Sequence, residues 1–121
     1  MHKILIVEDN EMIRENLEEL LLLYDFEAIT AHNGRIGIEK MQAEKPDLIV
    51  CDIAMPEANG YEVLKKLKSI PEIAQTPFIF LTASAQKTDI EKGQLSQADY
   101  FMTKPFDIEE LVKVINLLLE Q

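Results

Sequence analysis

The stretch Leu48-Ile49-Val50-Cys51-Asp52 sets four apolar residues in a row and ends abruptly at a carboxylate, ahead of the loop-like Ile53-Ala54-Met55-Pro56. A short unbroken apolar run is the pattern of a strand covered on both faces. An acid is seldom fully buried without a partner, so Asp52 is expected at the strand's rim, within reach of a cation or water. Ile4-Leu5-Ile6-Val7 repeats the design and also stops at acids, Glu8 and Asp9. If the two strands are parallel neighbours, their acids meet at the carboxyl edge of the sheet, where open α/β sheets bind ligands. Two unit charges 4 Å apart repel by about 4 kcal/mol at an effective dielectric near 20, so something positive must offset them. Oxygen donors without a nearby His or Cys set favour a hard ion, and two or three carboxylates suit Mg²⁺ with its retained waters. Taken singly, either strand end also fits a plainer reading, in which Asp9 or Asn10 caps the next helix. The paired occurrence favours a metal site.

At 121 residues the chain is long enough for one domain, residues 1–121, and too short for two with proper cores. Its 47% hydrophobic content permits a sizeable interior, and no apolar run is long enough to span a bilayer. Met1-His2-Lys3-Ile4 leads straight into a strand without the regions of a signal peptide, so a cytoplasmic location is expected. The single Cys51, inside an apolar run, agrees with a reducing compartment and reads as an inert buried thiol. Twelve basic against 22 acidic residues give a net charge of −10, which opposes contact with nucleic acid or a membrane surface.

Glu11 to Tyr24 places Ile13, Leu17, Leu20, Leu21 and Tyr24 at helical spacing, with a turn expected at Asp25. Glu27 to Ala31 reads as a short strand, and Asn33-Gly34 starts a helix whose inner face is Gly37, Ile38 and Met41. Gly37 there costs roughly 1 kcal/mol relative to Ala, which close packing would explain. Gly60 opens a third helix with Val63, Leu64 and Leu67 inward and Lys65, Lys66 and Lys68 outward, stopped by Pro71. Phe78-Ile79-Phe80-Leu81 is another apolar run, ending at the hydroxyls Thr82 and Ser84. A fourth helix is expected from Gln86 to about Leu95, sparsely apolar and interrupted by Gly93, and Tyr100 to Thr103 is a fifth strand ending in Lys104-Pro105. Asp107 is expected to cap a last helix with Ile108, Leu111, Val112, Ile115, Leu118 and Leu119 inward and Val114 and Leu117 outward. Five strands alternating with five helices imply a parallel sheet with helices on both faces.

The strand ends collect Glu8 and Asp9, then Asp52, Thr82 and Lys104. Phosphoryl transfer calls for this set: a divalent ion and an amine to draw off charge, a hydroxyl to hold one oxygen, and a carboxylate nucleophile. In these residues the chain resembles the receiver domains of two-component response regulators. The resemblance runs from Ile4-Leu5-Ile6-Val7-Glu8-Asp9-Asn10 through Pro46-Asp47-Leu48-Ile49-Val50-Cys51-Asp52 and Met55-Pro56 to Lys104-Pro105-Phe106. It implies a flavodoxin-like, doubly wound three-layer (βα)5 fold with strand order 2-1-3-4-5. It implies Asp52 as the acceptor of phosphate from a phosphohistidine of a sensor histidine kinase or histidine phosphotransfer protein. It further implies Mg²⁺, with Mn²⁺ able to replace it, on Asp9, Asp52 and the backbone carbonyl of Ala54, with Glu8 in a second shell or acting through water. Thr82 and Lys104 then engage the phosphoryl group, Phe101 is an aromatic switch that turns inward when Thr82 moves, and the Lys104-Pro105 bond is cis. The implied output is a remodelled face of the fourth helix, fifth strand and fifth helix. That face is read by a downstream target protein, by a fused effector domain, or by a second phosphorylated copy in a homodimer. A regulator of this kind is a phosphoacceptor and not a turnover enzyme.

Each of these residues also has a plain structural reading: Thr82 as a helix cap, Lys104 as surface, Phe101 as core. Four positions depart from the family's commoner pattern. Ala54 and Ser84 are small where side chains influence acyl-phosphate lifetime, Asn59 stands for an Asp before Gly60, and Gln97 stands for a Gly before Ala98. The competing reading is a Mg²⁺-dependent phosphatase or phosphotransferase with Asp52 as transient nucleophile. Such enzymes commonly place a second acid two residues on, where Ala54 cannot serve. A flavin carrier on the same fold would need a phosphate-binding loop that the strand ends lack.

Overall fold

The computed structural model describes residues 1–55, 57–82 and 97–120. Along them run β1 (Lys3–Val7), α1 (Glu11–Leu23), β2 (Glu27–Ala31), α2 (Gly34–Glu44), β3 (Leu48–Asp52), α3 (Gly60–Lys68), β4 (Phe78–Thr82), β5 (Tyr100–Thr103) and α4 (Ile108–Leu119). The helix expected over 86–95, and with it Ser84, lies outside the described residues.

The five strands pair in parallel in the order β2-β1-β3-β4-β5, so the flavodoxin-like doubly wound sheet is the fold. Side chains alternate across it as a pleated strand requires. Ile4, Ile6, Leu48, Val50, Ile79, Leu81 and Met102 join Leu17 and Leu21 of α1 and Leu111 and Ile115 of α4 on one side. Leu5, Val7, Ile49, Cys51, Phe78 and Phe80 join Met41 of α2 and Val63, Leu64 and Leu67 of α3 on the other. β3 is central and buried at every position, which is why its sequence carries no polar alternation before Asp52. Gly37 packs as expected: a Cβ there would lie 2.9 Å from Val7 Cγ2, so α2 approaches the sheet at a distance that only glycine allows.

Among the described residues, three helices start on asparagine. Asn10, Asn33 and Asn59 accept from the N–H groups of Ile13, Ile36 and Glu62, and the Glu62 carboxylate returns a bond to the Asn59 N–H. Asp107 occupies the same position before α4, but its side chain makes no capping hydrogen bond; Glu109 and Glu110 supply negative charge to that first turn instead. Val114 corrects the outward reading of α4. It is 7% exposed, because it follows Leu111 by three residues and shares its face, whereas Leu117 is 54% exposed as expected.

β2 lies at one edge of the sheet. The Glu27 N–H donates to the His2 carbonyl and the Glu8 N–H to the Ala31 carbonyl, so by alternation Thr30 faces the open side. There the Lys40 ammonium donates to the Thr30 carbonyl.

Candidate functional site

The parallel register puts the ends of β1, β3, β4 and β5 side by side at one rim. Val7 pairs with Cys51 and Asp52 with Leu81, so Glu8 and Asp9 leave β1 where β3 delivers Asp52, and Thr82 follows on the neighbouring strand. Carboxylate oxygens of Glu8, Asp9 and Asp52 lie within 4.8 Å of one another. Glu8 and Asp52 are buried and Asp9 is exposed.

The positive partner is Lys104. Its Nζ donates to Glu8 Oε1 at 2.8 Å and lies 3.5 Å from Asp52 Oδ1. The Lys104 N–H donates to the Thr82 carbonyl at 2.7 Å, which ties this loop to the end of β4, and the Lys104-Pro105 bond is cis as expected. The other Glu8 oxygen, Oε2, accepts the Asn10 N–H at 3.1 Å, and Asp52 Oδ1 accepts the Ile53 N–H at 2.9 Å.

These surroundings set the proton affinities. Burial first, then the negative charge of Glu8, push the Asp52 carboxyl up to about 6; Lys104 and the Ile53 N–H pull it down, and Asp9 raises it again. Asp52 therefore remains ionised at neutral pH. Burial works against the charge on Lys104, but the Glu8 hydrogen bond and the charges of Asp52 and Glu8 outweigh it and raise its pKa. Burial, with help from Asp52 and Glu8, raises the Cys51 thiol well above its ordinary range, and its Sγ donates to the Asp52 carbonyl. The thiol is free and buried, as expected.

The donor set, three carboxylates without His or Cys, fits a hard divalent ion such as Mg²⁺. Ala54 is exposed in the loop beyond β3, and Thr82 is buried at the end of β4. Phe101 is 48% exposed on β5, so the plain core reading of it does not hold. Arg14, which no sequence motif marks, also reaches this rim. Its Nη1 donates to the Glu8 carbonyl at 2.9 Å and reaches the Asp9 carbonyl at 3.4 Å, bracing the backbone that carries both acids. Its place in the first turns of a helix gives no local signal of that contact.

The family pattern of the response regulator receiver domain matches residues 4–116. This chain belongs to that family. The receiver domain is 35% identical over 119 residues to protein PilH of Pseudomonas aeruginosa, with 98% of each chain covered. It is 36% identical to the transcriptional regulatory protein CpxR of Escherichia coli, covering all of this chain and 50% of that one. The receiver domain thus spans about half the length of some of the curated relatives it matches. Among solved structures it matches the response regulator TrrA of Thermotoga maritima, which was crystallised in complex with Mg²⁺-BeF. That match has a TM-score of 0.86 and 32% identity, and covers 98% of this chain and 99% of that one. Among the described residues, no helix of this receiver domain is long and apolar enough to cross a membrane.

Proposed function

We propose that residues 1–121 act as one receiver domain, a phosphorylation-dependent switch in which Asp52 accepts a phosphoryl group from the phosphohistidine of a sensor histidine kinase or histidine phosphotransfer protein. The observation that carries this reading is the convergence of Glu8, Asp9 and Asp52 within 4.8 Å, with Lys104 Nζ 3.5 Å from the Asp52 carboxylate. Asp52 Oδ attacks phosphorus while the phosphorus–nitrogen bond breaks, and the electron pair leaves on the donor imidazole. The product is an acyl phosphate on Asp52.

Asp9, Asp52 and the Ala54 carbonyl would hold Mg²⁺, with Glu8 behind them and Mn²⁺ as a substitute; the bound ion draws charge off the phosphoryl oxygens. Lys104 supplies a second positive charge on the other side, and the Thr82 hydroxyl donates to a phosphoryl oxygen. Once Asp52 is esterified, Lys104 exchanges part of its present ion pairing for the phosphoryl group. Thr82 moves toward it, and Phe101, half-exposed in this structure, swings into the space left behind. The face beside β5 and α4 is thereby altered, and a target protein, a fused effector domain or a second copy reads the change.

This is one phosphoryl group per cycle on the protein itself, not turnover of a free substrate. The absence of a carboxylate at Ala54 supports that reading over a phosphatase. A cytoplasmic setting follows from the partners proposed. The test is phosphotransfer from candidate kinases, scored by intact mass with and without Mg²⁺. The expected result is a gain of one phosphoryl group in the wild type only with the metal, and none in Asp52→Asn. Equal labelling of Asp52→Asn would refute the assignment.

A further inference from the structure

The loop after Asp52 carries two residues in a backbone conformation that L side chains rarely adopt. Glu57 has φ 48° and Ala58 φ 76°, and neither is glycine. Such backbone persists where its surroundings over-determine it, and here those surroundings belong to α2. Asn33 Nδ2 donates to Glu57 Oε2 at 3.1 Å, the Arg35 N–H donates to the Glu57 carbonyl at 2.9 Å, and Arg35 Nε lies 3.6 Å from Glu57 Oε2. Gly34 makes the approach possible, since a Cβ there would lie 1.8 Å from the Ala58 carbonyl oxygen. Asn33, only 6% exposed, uses both ends of its amide: Oδ1 caps α2 and Nδ2 holds Glu57.

The base of the loop is fixed separately. The Gly60 N–H donates to the Ile53 carbonyl at 2.8 Å, and a Cβ on Gly60 would lie 2.4 Å from the Asp52 carbonyl oxygen. The loop is therefore pinned at its base to the strand that bears Asp52 and at its far end to the start of α2. Ala54 stands between these two anchors.

We propose that Glu57, held by Asn33 and Arg35, is a positioning residue for the Asp52 site: the tie keeps the loop backbone in the state in which the Ala54 carbonyl serves the acids. The inference rests on the reading of Ala54 as a metal ligand. Its physical basis is that apparent affinity falls by the fraction of time a site spends in its competent state. An exposed ion pair such as Arg35–Glu57 contributes little alone. Together with the bond from buried Asn33 and a backbone bond, it selects one loop conformation.

The test is Mg²⁺ titration of the full chain by calorimetry, with thermal midpoints and amide hydrogen exchange recorded on the metal-free forms. Glu57→Ala should weaken Mg²⁺ binding about tenfold, as loss of a supporting contact behind a metal ligand typically does. Glu57→Gln, which can still accept from the Asn33 amide, should stay within about threefold of the wild type. Asn33→Asp preserves the α2 cap but sets a like charge against Glu57, and should weaken binding as Glu57→Ala does. Faster exchange of the Arg35 N–H, which donates to the Glu57 carbonyl, would show the loosened tie directly in Glu57→Ala. Wild-type affinity in Glu57→Ala overturns the proposal and leaves the metal site standing. So does an equal loss in Glu57→Gln accompanied by an equal fall in thermal midpoint, because that pattern belongs to general destabilisation. If the wild type takes up no Mg²⁺, or Asp9→Asn takes it up equally well, the metal site fails and the proposal with it.

Discussion

Asp52→Asn is expected to make the metal-free protein more stable, although it removes the residue on which the proposed function depends. The folded protein pushes the Asp52 carboxyl from 3.8 up to about 6. That rise of roughly 2.2, at 1.36 kcal/mol per unit, sets an upper bound of about 3 kcal/mol on the cost of ionising it in place. Because the carboxylate lies at a rim that solvent can reach, screening reduces this to about 1–2 kcal/mol. The sign follows from linkage. Below pH 3.8 the folded and unfolded chains both carry the proton, and the wild type has the full stability associated with a neutral carboxyl. Between pH 3.8 and about 6 the folded chain retains a proton that the unfolded chain has lost, so wild-type stability falls as pH rises, and the loss is complete above about 6. An asparagine does not titrate. In chelator, urea unfolding followed by circular dichroism should therefore show Asp52→Asn ahead by about 1–2 kcal/mol at pH 7.5, with the gap closing toward pH 4. Adding Mg²⁺ at ten times its Kd should stabilise the wild type by about 1.4 kcal/mol and the variant by far less. A variant no more stable than the wild type at pH 7.5, or a gap that ignores pH, would refute the reasoning.

Lys104→Ala leaves the buried Glu8 carboxylate without its 2.8 Å partner and should cost about 2 kcal/mol. Adding Glu8→Gln should recover much of that loss, and a double-mutant cycle by urea unfolding gives the coupling. Gly37→Ala gains up to about 1 kcal/mol of helix propensity but forces a methyl to 2.9 Å from Val7 Cγ2. Overpacking should prevail, for a net loss of about 1 kcal/mol in the same assay. Asn59→Ala removes the side-chain acceptor that caps the Glu62 N–H at the start of α3 and should lower stability by about 1 kcal/mol; a thermal midpoint unchanged to within a degree would count against the cap.

The strands of the interior were legible because a doubly covered strand leaves no room for polar alternation. β1, β3 and β4 each show four consecutive apolar residues, and the residue that ends each run is the one delivered to the rim. The start of α2 at Asn33-Gly34 was legible for a similar reason, since a helix start is decided by the residues of the turn it begins. What sequence did not disclose was how neighbouring acids divide their roles. Glu8 and Asp9 are adjacent, yet one is buried against Lys104, 96 residues away, and the other is exposed; only the assembled sheet decides which. Val114 lies inward because the buried stripe of α4 is wide enough to take in the position between Leu111 and Ile115. Phe26 and Ile73, both buried, sit in turns beside Asp25 and Pro71, where periodicity carries no signal. The Asn33–Glu57 contact spans 24 residues between two loops and is a product of tertiary approach alone.

The Lys40 ammonium that covers the Thr30 carbonyl has a consequence outside signalling. An uncovered border strand is a template on which another molecule can continue the ladder, the first step toward fibrils. Here an incoming strand must first strip a charged amine from its acceptor and then accommodate a cation in the new seam. On the β2 side of the five-stranded sheet, replacing Lys40 by a short neutral residue would remove that safeguard without touching Glu8, Asp9, Asp52 or Lys104.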